Sequence, residues 1–137
     1  MTTKERFLAK LEDFHSYLGE LQGLAGIDLE EYRRDLMRKR GIERTLQLLV
    51  ETAIDLGNML ITMNRWRAPS TNREIFRILG EQGLLPEELV REMEGMVGFR
   101  NLLVHDYGRI EDAIVHGILR DRLHYFAHFA EAVASRV

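Results

Sequence analysis

Residues 41–63 read GIERTLQLLVETAIDLGNMLITM and form the most periodic stretch in a chain of 137 residues. One apolar stripe keeps a seven-residue repeat and is formed by Ile42, Leu46, Leu49, Ala53, Leu56, Leu60 and Met63. A second stripe runs beside it and is formed by Val50, Ile54 and Ile61. A helix that is apolar on two sides must be packed on two sides. The stretch therefore predicts a central helix, which serves either the core alone or both the core and a subunit interface.

The segment before this stretch predicts two further helices. Apolar residues recur every three or four positions over about residues 4–22, until Gly23 interrupts the pattern. Asp28, followed three residues later by Glu31, is typical of a capping-box start and predicts a second helix to about residue 39. This helix carries a basic run formed by Arg33, Arg34, Arg38, Lys39 and Arg40. Two interpretations of the run stay open, a solvated helix face or a wall of an RNA-binding groove.

The segment after the central stretch predicts the remaining helices. Thr71 with Glu74 gives a second capping signature, and Pro86 suits the first turn of the next helix. A last helix is predicted over about residues 111–136. With two prolines and no strand-like alternation, the sequence predicts an all-α fold in which one domain, 1–137, forms an up-and-down bundle of about five to six helices.

Composition limits the classes of function. There are no cysteines, so disulfides and thiolate sites are excluded, and the net charge of −3 requires any RNA site to be a local basic groove. No signal-peptide pattern occurs, and no apolar run reaches the roughly 18 residues of a membrane span, so a cytoplasmic protein without a membrane partner is expected. Glycine-rich phosphate loops and the serine-nucleophile elbow are also missing.

One polar stretch, RNLLVHDY at residues 100–107, lies among otherwise apolar positions. On a helical wheel, Arg100 falls about 20° from Leu89, on the apolar face, so its guanidinium needs an anionic partner, for which Asp55 is a candidate. His105 lies about 140° from Arg100, so the two converge only if the helix ends near Val104 or if a second copy of the chain completes the groove. A purely structural interpretation also stays open, in which Arg100 pairs with Asp55 and His105 caps the helix.

The other histidines do not predict a metal site. His124 and His128 have a spacing that metal sites also use, but no glutamate follows the His-Glu-x-x-His pattern and no third ligand is evident. Together with His116 and Arg120 they are expected to form a solvated or cleft-lining stripe on the last helix. His15 is expected at a helix surface. No metal and no cofactor are therefore predicted.

The spacing Arg100-x-x-x-x-His105-x-Tyr107 resembles the motif of the HEPN superfamily, in particular of the HepT-like toxins. The similarity extends over most of residues 40–130, including Val97-Gly98-Phe99, Ala53-Ile54-Asp55-x-x-Asn58, Phe76 to Gly83 and Leu119 to Phe129. The resemblance implies a homodimer of helical bundles whose two motifs face each other across a cleft. It also implies a metal-independent endoribonuclease that acts as the toxin of a type VII-like toxin-antitoxin pair.

The resemblance implies a role for each motif residue. His105 would be the general base or acid, and Arg100 would hold the scissile phosphate of the RNA substrate. Asn101 would position the substrate or orient His105, and Asp55 would support Arg100. Tyr107 would be adenylylated (AMPylated) by a cognate minimal-nucleotidyltransferase antitoxin, which would silence the toxin. From the residues alone, a phenol that stacks on a base or a structural group near the helix end stays open for Tyr107. The alternative is a non-catalytic HEPN module that uses the same cleft to bind a nucleotide or its partner.

Overall fold

The computed structural model describes all residues, 1–137, and contains helices without any strand. The all-α prediction is confirmed. Seven α-helices and one 3-10 turn follow in the order α1 (Thr3–Gln22), α2 (Leu29–Arg34), α3 (Leu36–Asn64), α4 (Asn72–Glu81), α5 (Glu87–His105), the 3-10 turn (Tyr107–Arg109), α6 (Asp112–Asp121) and α7 (Leu123–Ala134).

Helix α3 lies at the centre of the bundle and packs against α1, α2, α4, α5 and α7, as its two apolar stripes predict. Beside it, four phenylalanine rings pack in tilted and edge-on pairs with centroids 5.7–6.3 Å apart. They join α1, α4 and α7 through Phe14, Phe76, Phe126 and Phe129. Full burial of each ring stabilises the fold by about 1.5–3 kcal/mol.

By length and composition α3 is apolar enough to cross a bilayer. However, 56% of its most apolar window is buried inside the bundle, which is typical of a core helix.

The boundary between α2 and α3 differs from the prediction. Helix α2 ends at Arg34 instead of continuing to about Lys39, because Asp35 leaves the helical region at ψ 87°. The Asp35 side chain accepts a hydrogen bond from the Arg38 backbone N–H at 3.0 Å and thereby caps α3. Helix α3 therefore begins at Leu36, five residues before the periodic stretch that predicted it.

The predicted last helix is two helices, which brings the total to seven instead of five or six. The break lies at Arg122, whose φ of −122° and ψ of −1° are not helical. The Arg122 guanidinium donates to Glu92 Oε2 on α5 at 2.6 Å. This contact with α5 stabilises the turn between α6 and α7, which contains no proline or glycine that would predict it from the sequence.

Helix α4 begins as predicted and packs closely on α3. Thr71 Oγ1 accepts from the Glu74 backbone N–H at 3.2 Å, and Glu74 Oε1 accepts from the Ser70 N–H at 2.7 Å. A Cβ placed on Gly57 of α3 would lie 2.5 Å from Ile75 Cγ2. Only glycine therefore permits this approach of the two helices.

Candidate active site

The polar stretch occupies the end of α5 and the turn that follows. Arg100 and Asn101 lie within α5, His105 is its last residue, and Tyr107 begins the 3-10 turn. Because α5 stays helical through His105, the separation of about 140° between Arg100 and His105 on the wheel holds. Their side chains therefore leave α5 in different directions within one chain.

Arg100 is held by a glutamate of α3. Its Nε and Nη2 lie 3.0 and 2.9 Å from Glu51 Oε2, and its side chain is 21% exposed. The prediction that Asp55 is the partner was wrong. Asp55 lies one turn further along α3, where it is exposed and pairs with Lys10 Nζ of α1 at 3.4 Å. Asp55 does have a cation partner, but it does not support Arg100.

Asn101 and His105 differ in how firmly they are held. Asn101 is exposed, and its Oδ1 accepts from Arg100 Nη1 at 3.2 Å. His105 is exposed, and its imidazole makes no hydrogen bond or ion pair. Neither half of the structural interpretation therefore holds, since His105 does not cap α5 through its ring and Arg100 does not pair with Asp55.

The Tyr107 hydroxyl lies between two charged side chains of α3. It donates to Glu43 Oε1 at 2.6 Å and accepts from Arg40 Nη1, whose guanidinium carbon lies 5.5 Å from the ring centre. Burial raises the pKa of Tyr107 above its usual value, and the hydrogen bond to Glu43 raises it further, while Arg40 acts in the opposite direction. The phenol is thus held neutral, with its proton directed at a carboxylate.

Glu43 is the most deeply buried acidic side chain of this region. It is 5% exposed, and its Oε2 has no hydrogen-bond partner. The neighbouring Tyr32 is buried as well, and its pKa is raised by burial and then by the charge of Glu43. A buried carboxylate with one unpaired oxygen is costly, so packing alone does not explain Glu43.

Polar residues along one face of α3 connect Tyr107 with Arg100. Gln47 Nε2 donates to Glu51 Oε2 at 3.1 Å, so Gln47 and Arg100 share one carboxylate oxygen. We call this face the α3 stripe, formed by Arg40, Glu43, Arg44, Gln47 and Glu51. Sequence reasoning assigned the apolar stripes of α3 but missed this one, although its members recur at three- and four-residue spacing.

A cavity of about 310 Å³ opens beside the α3 stripe. Its lining carries two guanidinium groups, a carboxylate, an amide and a phenol, from Arg40, Arg44, Glu43, Gln47 and Tyr107. The cavity thus places two cations beside a phenol hydroxyl, an arrangement suited to an anionic ligand.

Most of the basic run is neutralised by nearby acids. Lys39 pairs with Asp112 at 2.7 Å, while Arg33 and Arg38 contact glutamates of α2 at 3.3 and 3.0 Å. The run therefore forms a paired surface instead of a free basic wall, and Arg40 alone joins the site.

The remaining histidines lie outside this site. His116 is buried, with Nε2 2.7 Å from the Ile27 carbonyl oxygen, so it does not belong to the predicted solvated or cleft-lining stripe. His124 and His128 are exposed, with ring centres 5.6 Å apart. No group of three side chains that could hold a metal ion forms in the chain.

Comparisons with known proteins agree with this architecture. Residues 8–133 match a family model described as HepT-like, ribonuclease HepT-like. A tRNA nuclease HepT from Aphanizomenon flos-aquae is 32% identical over 102 residues, which cover 74% of this chain and 69% of that protein. An mRNA nuclease HepT from Shewanella oneidensis is 26% identical over 106 residues, covering 77% and 80%.

A solved structure has the same fold. The tri-AMPylated HEPN toxin of Shewanella oneidensis, in complex with its MNT antitoxin, superimposes with a TM-score of 0.86 at 23% identity. The match covers 94% of this chain and 96% of that toxin.

Proposed function

Because the chain belongs to the HepT-like ribonuclease family, we propose that it is a cytoplasmic endoribonuclease, the toxin of a toxin-antitoxin pair, with Arg100 and His105 as its catalytic residues. The observation that carries the proposal is the contrast between these two side chains. A guanidinium fixed by Glu51 supplies an ordered positive charge, and an exposed imidazole without internal partners is free to meet a substrate.

The proposed reaction is a transesterification in RNA. His105 removes the proton from a ribose 2′-hydroxyl, whose oxygen attacks the adjacent phosphorus while the bond to the leaving 5′-oxygen breaks. An imidazole changes charge near neutral pH, so the same residue type can also protonate the leaving oxygen. Arg100 binds the phosphate and stabilises the charge that develops on it, and Asn101 positions the substrate. These groups supply both proton transfer and charge stabilisation, so no metal ion is needed for the proposed step.

A second copy of the chain completes the proposed site. Arg100 and His105 diverge by about 140° on α5, so one chain does not direct both at one phosphate. In a homodimer with the two α5 ends facing each other, Arg100 of one chain and His105 of the other meet at a shared cleft. Val104 and Tyr107, both about 40% exposed, lie on this end of the molecule. This arrangement predicts that a mixture of Arg100→Ala and His105→Ala chains regains part of the activity that each lacks alone.

Tyr107 is the proposed site of control. The Shewanella oneidensis toxin with the same fold is tri-AMPylated and bound to its MNT antitoxin. Tyr107 is 41% exposed and lines the cavity beside the α3 stripe, where a modifying enzyme of the nucleotidyltransferase class can approach it. An added AMP brings bulk and negative charge beside the proposed cleft, where it competes with the RNA phosphate.

The test compares variants of the motif with matched controls. RNA cleavage is expected to fall by about 10² or more in His105→Ala and in Arg100→Ala. The controls are His128→Ala, an exposed histidine of α7, and Arg91→Ala, an exposed arginine about 180° from Arg100 on α5. Both should cleave like the wild type, and circular dichroism should show all four variants folded.

The same assay separates ribonuclease from binding module. Undiminished cleavage by His105→Ala would contradict the proposed role of the imidazole. A wild-type protein that binds nucleotide or partner tightly but cleaves no RNA, and that mass spectrometry shows to be unmodified at Tyr107, would support the non-catalytic alternative.

A further inference from the structure

The hydrogen bond between Tyr107 and Glu43 defines the direction in which the phenol proton can leave. The two oxygen atoms, Tyr107 Oη and Glu43 Oε1, lie 2.6 Å apart. Proton transfer along this line would leave a phenolate and a neutral carboxyl group. Arg40 already donates to the same phenol oxygen and would stabilise the negative charge as it develops.

Burial makes Glu43 a suitable proton acceptor. Its carboxylate is 5% exposed, its Oε1 accepts from Tyr107 Oη and lies 3.7 Å from Arg40 Nη1, and its Oε2 makes no hydrogen bond. The carboxylate is thus sheltered from water and fixed in contact with the phenol, within the hydrogen-bonding distance that proton transfer requires.

The cavity beside the phenol provides a place for a phosphate. Arg44 lies one turn from Arg40 on the same face of α3, is exposed, and makes no ion pair or side-chain hydrogen bond. Guanidinium groups bind phosphate oxygens through paired N–H donors. Arg40 and Arg44 therefore line a cation-rich cavity of about 310 Å³ at the hydroxyl that would be modified.

We propose that Glu43 is the proton acceptor for the adenylylation of Tyr107 and that Arg40 and Arg44 bind the transferred phosphate. The inference rests on the proposed function, in which Tyr107 is the modified residue. In the step, Tyr107 Oη attacks the α-phosphorus of ATP and forms the new O–P bond. The bond from that phosphorus to the bridging oxygen breaks, pyrophosphate leaves, and the phenol proton passes to Glu43 Oε1. The chain thus contributes its own base and anion site to a reaction that a partner enzyme catalyses.

A chemical AMP donor tests this without a partner enzyme. Adenosine 5′-phosphorimidazolide transfers AMP with imidazole as the leaving group, and mass spectrometry of peptides reports which tyrosine is modified. Tyr125 is an internal control, because its hydroxyl also donates to a carboxylate, Glu88, at 3.0 Å, but Glu88 is exposed. Tyr107 should be labelled at least about tenfold faster than Tyr125. Equal rates would overturn the inference.

Variants of Glu43 identify the proton acceptor. Glu43→Gln keeps the shape of the side chain and should slow the labelling of Tyr107 by about 10² or more, whereas Glu43→Asp should keep part of the rate. The Glu43→Gln rate should rise about tenfold per pH unit as the phenol ionises, whereas the wild-type rate should rise less steeply with pH, because its carboxylate takes the proton from the neutral phenol. A purely structural role would lower the rate without changing its pH dependence, and that result would refute the proposal.

Variants of the arginines test the phosphate site. Arg44→Gln should raise the half-saturating concentration of the donor by about tenfold. The control is Arg34→Gln on α2, an exposed arginine without an ion pair, which should leave that concentration unchanged. An equal effect of both variants would contradict a phosphate site at Arg44. Because the assay contains neither RNA nor nucleotidyltransferase, its outcome is independent of whether the chain cleaves RNA or binds an antitoxin.

Discussion

Replacing Glu51 with alanine should release Arg100 from the α3 stripe and leave its guanidinium without an anion. In the folded protein, Nε and Nη2 of Arg100 lie 3.0 and 2.9 Å from Glu51 Oε2. The two side chains are 21% and 31% exposed, so water screens the pair only in part. Asp55→Ala is the matched control, since it removes a carboxylate one turn further along α3 that is 55% exposed and pairs with Lys10 at 3.4 Å.

The magnitudes differ because the two pairs differ in burial and geometry. Hydrogen bonds to charged groups contribute about 1.5–3 kcal/mol, and partial exposure reduces this to about 1–2 kcal/mol for Glu51→Ala. An exposed pair such as that of Asp55 contributes about 0.2–1 kcal/mol. For a domain of this size, the Tm should fall by about 3–8 °C in Glu51→Ala and by at most about 3 °C in Asp55→Ala.

Activity should follow the same order. In the proposed mechanism Arg100 binds the scissile phosphate, so a displaced guanidinium should lower kcat/KM for RNA cleavage by about 10 to 10² in Glu51→Ala. Asp55→Ala should cleave at the wild-type rate. Thermal denaturation and initial-rate measurements on the three proteins decide the matter. Equal losses of Tm and of activity in both variants would refute the assignment of Glu51 as the residue that orients Arg100.

Two further predictions concern helix packing and pH. Gly57→Ala should destabilise the fold by about 1–3 kcal/mol, because its Cβ would lie 2.5 Å from Ile75 Cγ2. Gly41→Ala, which lies in open space on the same helix, should stabilise the fold by up to about 1 kcal/mol. Urea denaturation measures both changes, and a destabilised Gly41→Ala would contradict this prediction. Because burial and Glu43 raise the pKa of Tyr107, the stability that this residue contributes is complete below about pH 10 and is lost as the pH rises through the raised pKa. Glu43→Gln should move the absorbance titration of the Tyr107 phenolate to lower pH, with the Tyr107→Phe protein as the reference that is subtracted. An unchanged titration would exclude the Glu43 contact as a cause of the raised pKa.

Sequence reasoning succeeded where structure depends on neighbouring residues. The caps at Asp28 and Thr71 follow from local hydrogen bonds, with Asp28 Oδ1 accepting from the Glu31 N–H at 2.8 Å, and each lies where a three-residue spacing places it. The central position of α3 follows equally from its two apolar stripes. Such signals lie within a few residues of one another, so a single sequence contains them.

The features that the sequence did not predict, the partner of Arg100 and the break at Arg122, depend on tertiary contacts. Glu51 and Asp55 lie only about 40° apart on α3, so a wheel does not tell which of them meets Arg100. That choice depends on how far α5 is shifted along α3, and a shift of one turn, about 5.4 Å, exchanges the two residues. The break at Arg122 likewise depends on its contact with Glu92 of α5 and leaves no proline or glycine in the sequence.

The ends of the RNA fragments test the central claim most directly. Purified wild-type protein, shown by mass spectrometry to be unmodified at Tyr107, is incubated with a labelled structured RNA in EDTA beside the His105→Ala protein. The proposed mechanism predicts cleavage by the wild type alone, with 2′,3′-cyclic phosphate on the upstream fragment. Cleavage that EDTA abolishes, or fragments that carry a 3′-hydroxyl and a 5′-phosphate, would contradict attack by the 2′-hydroxyl with His105 as the base.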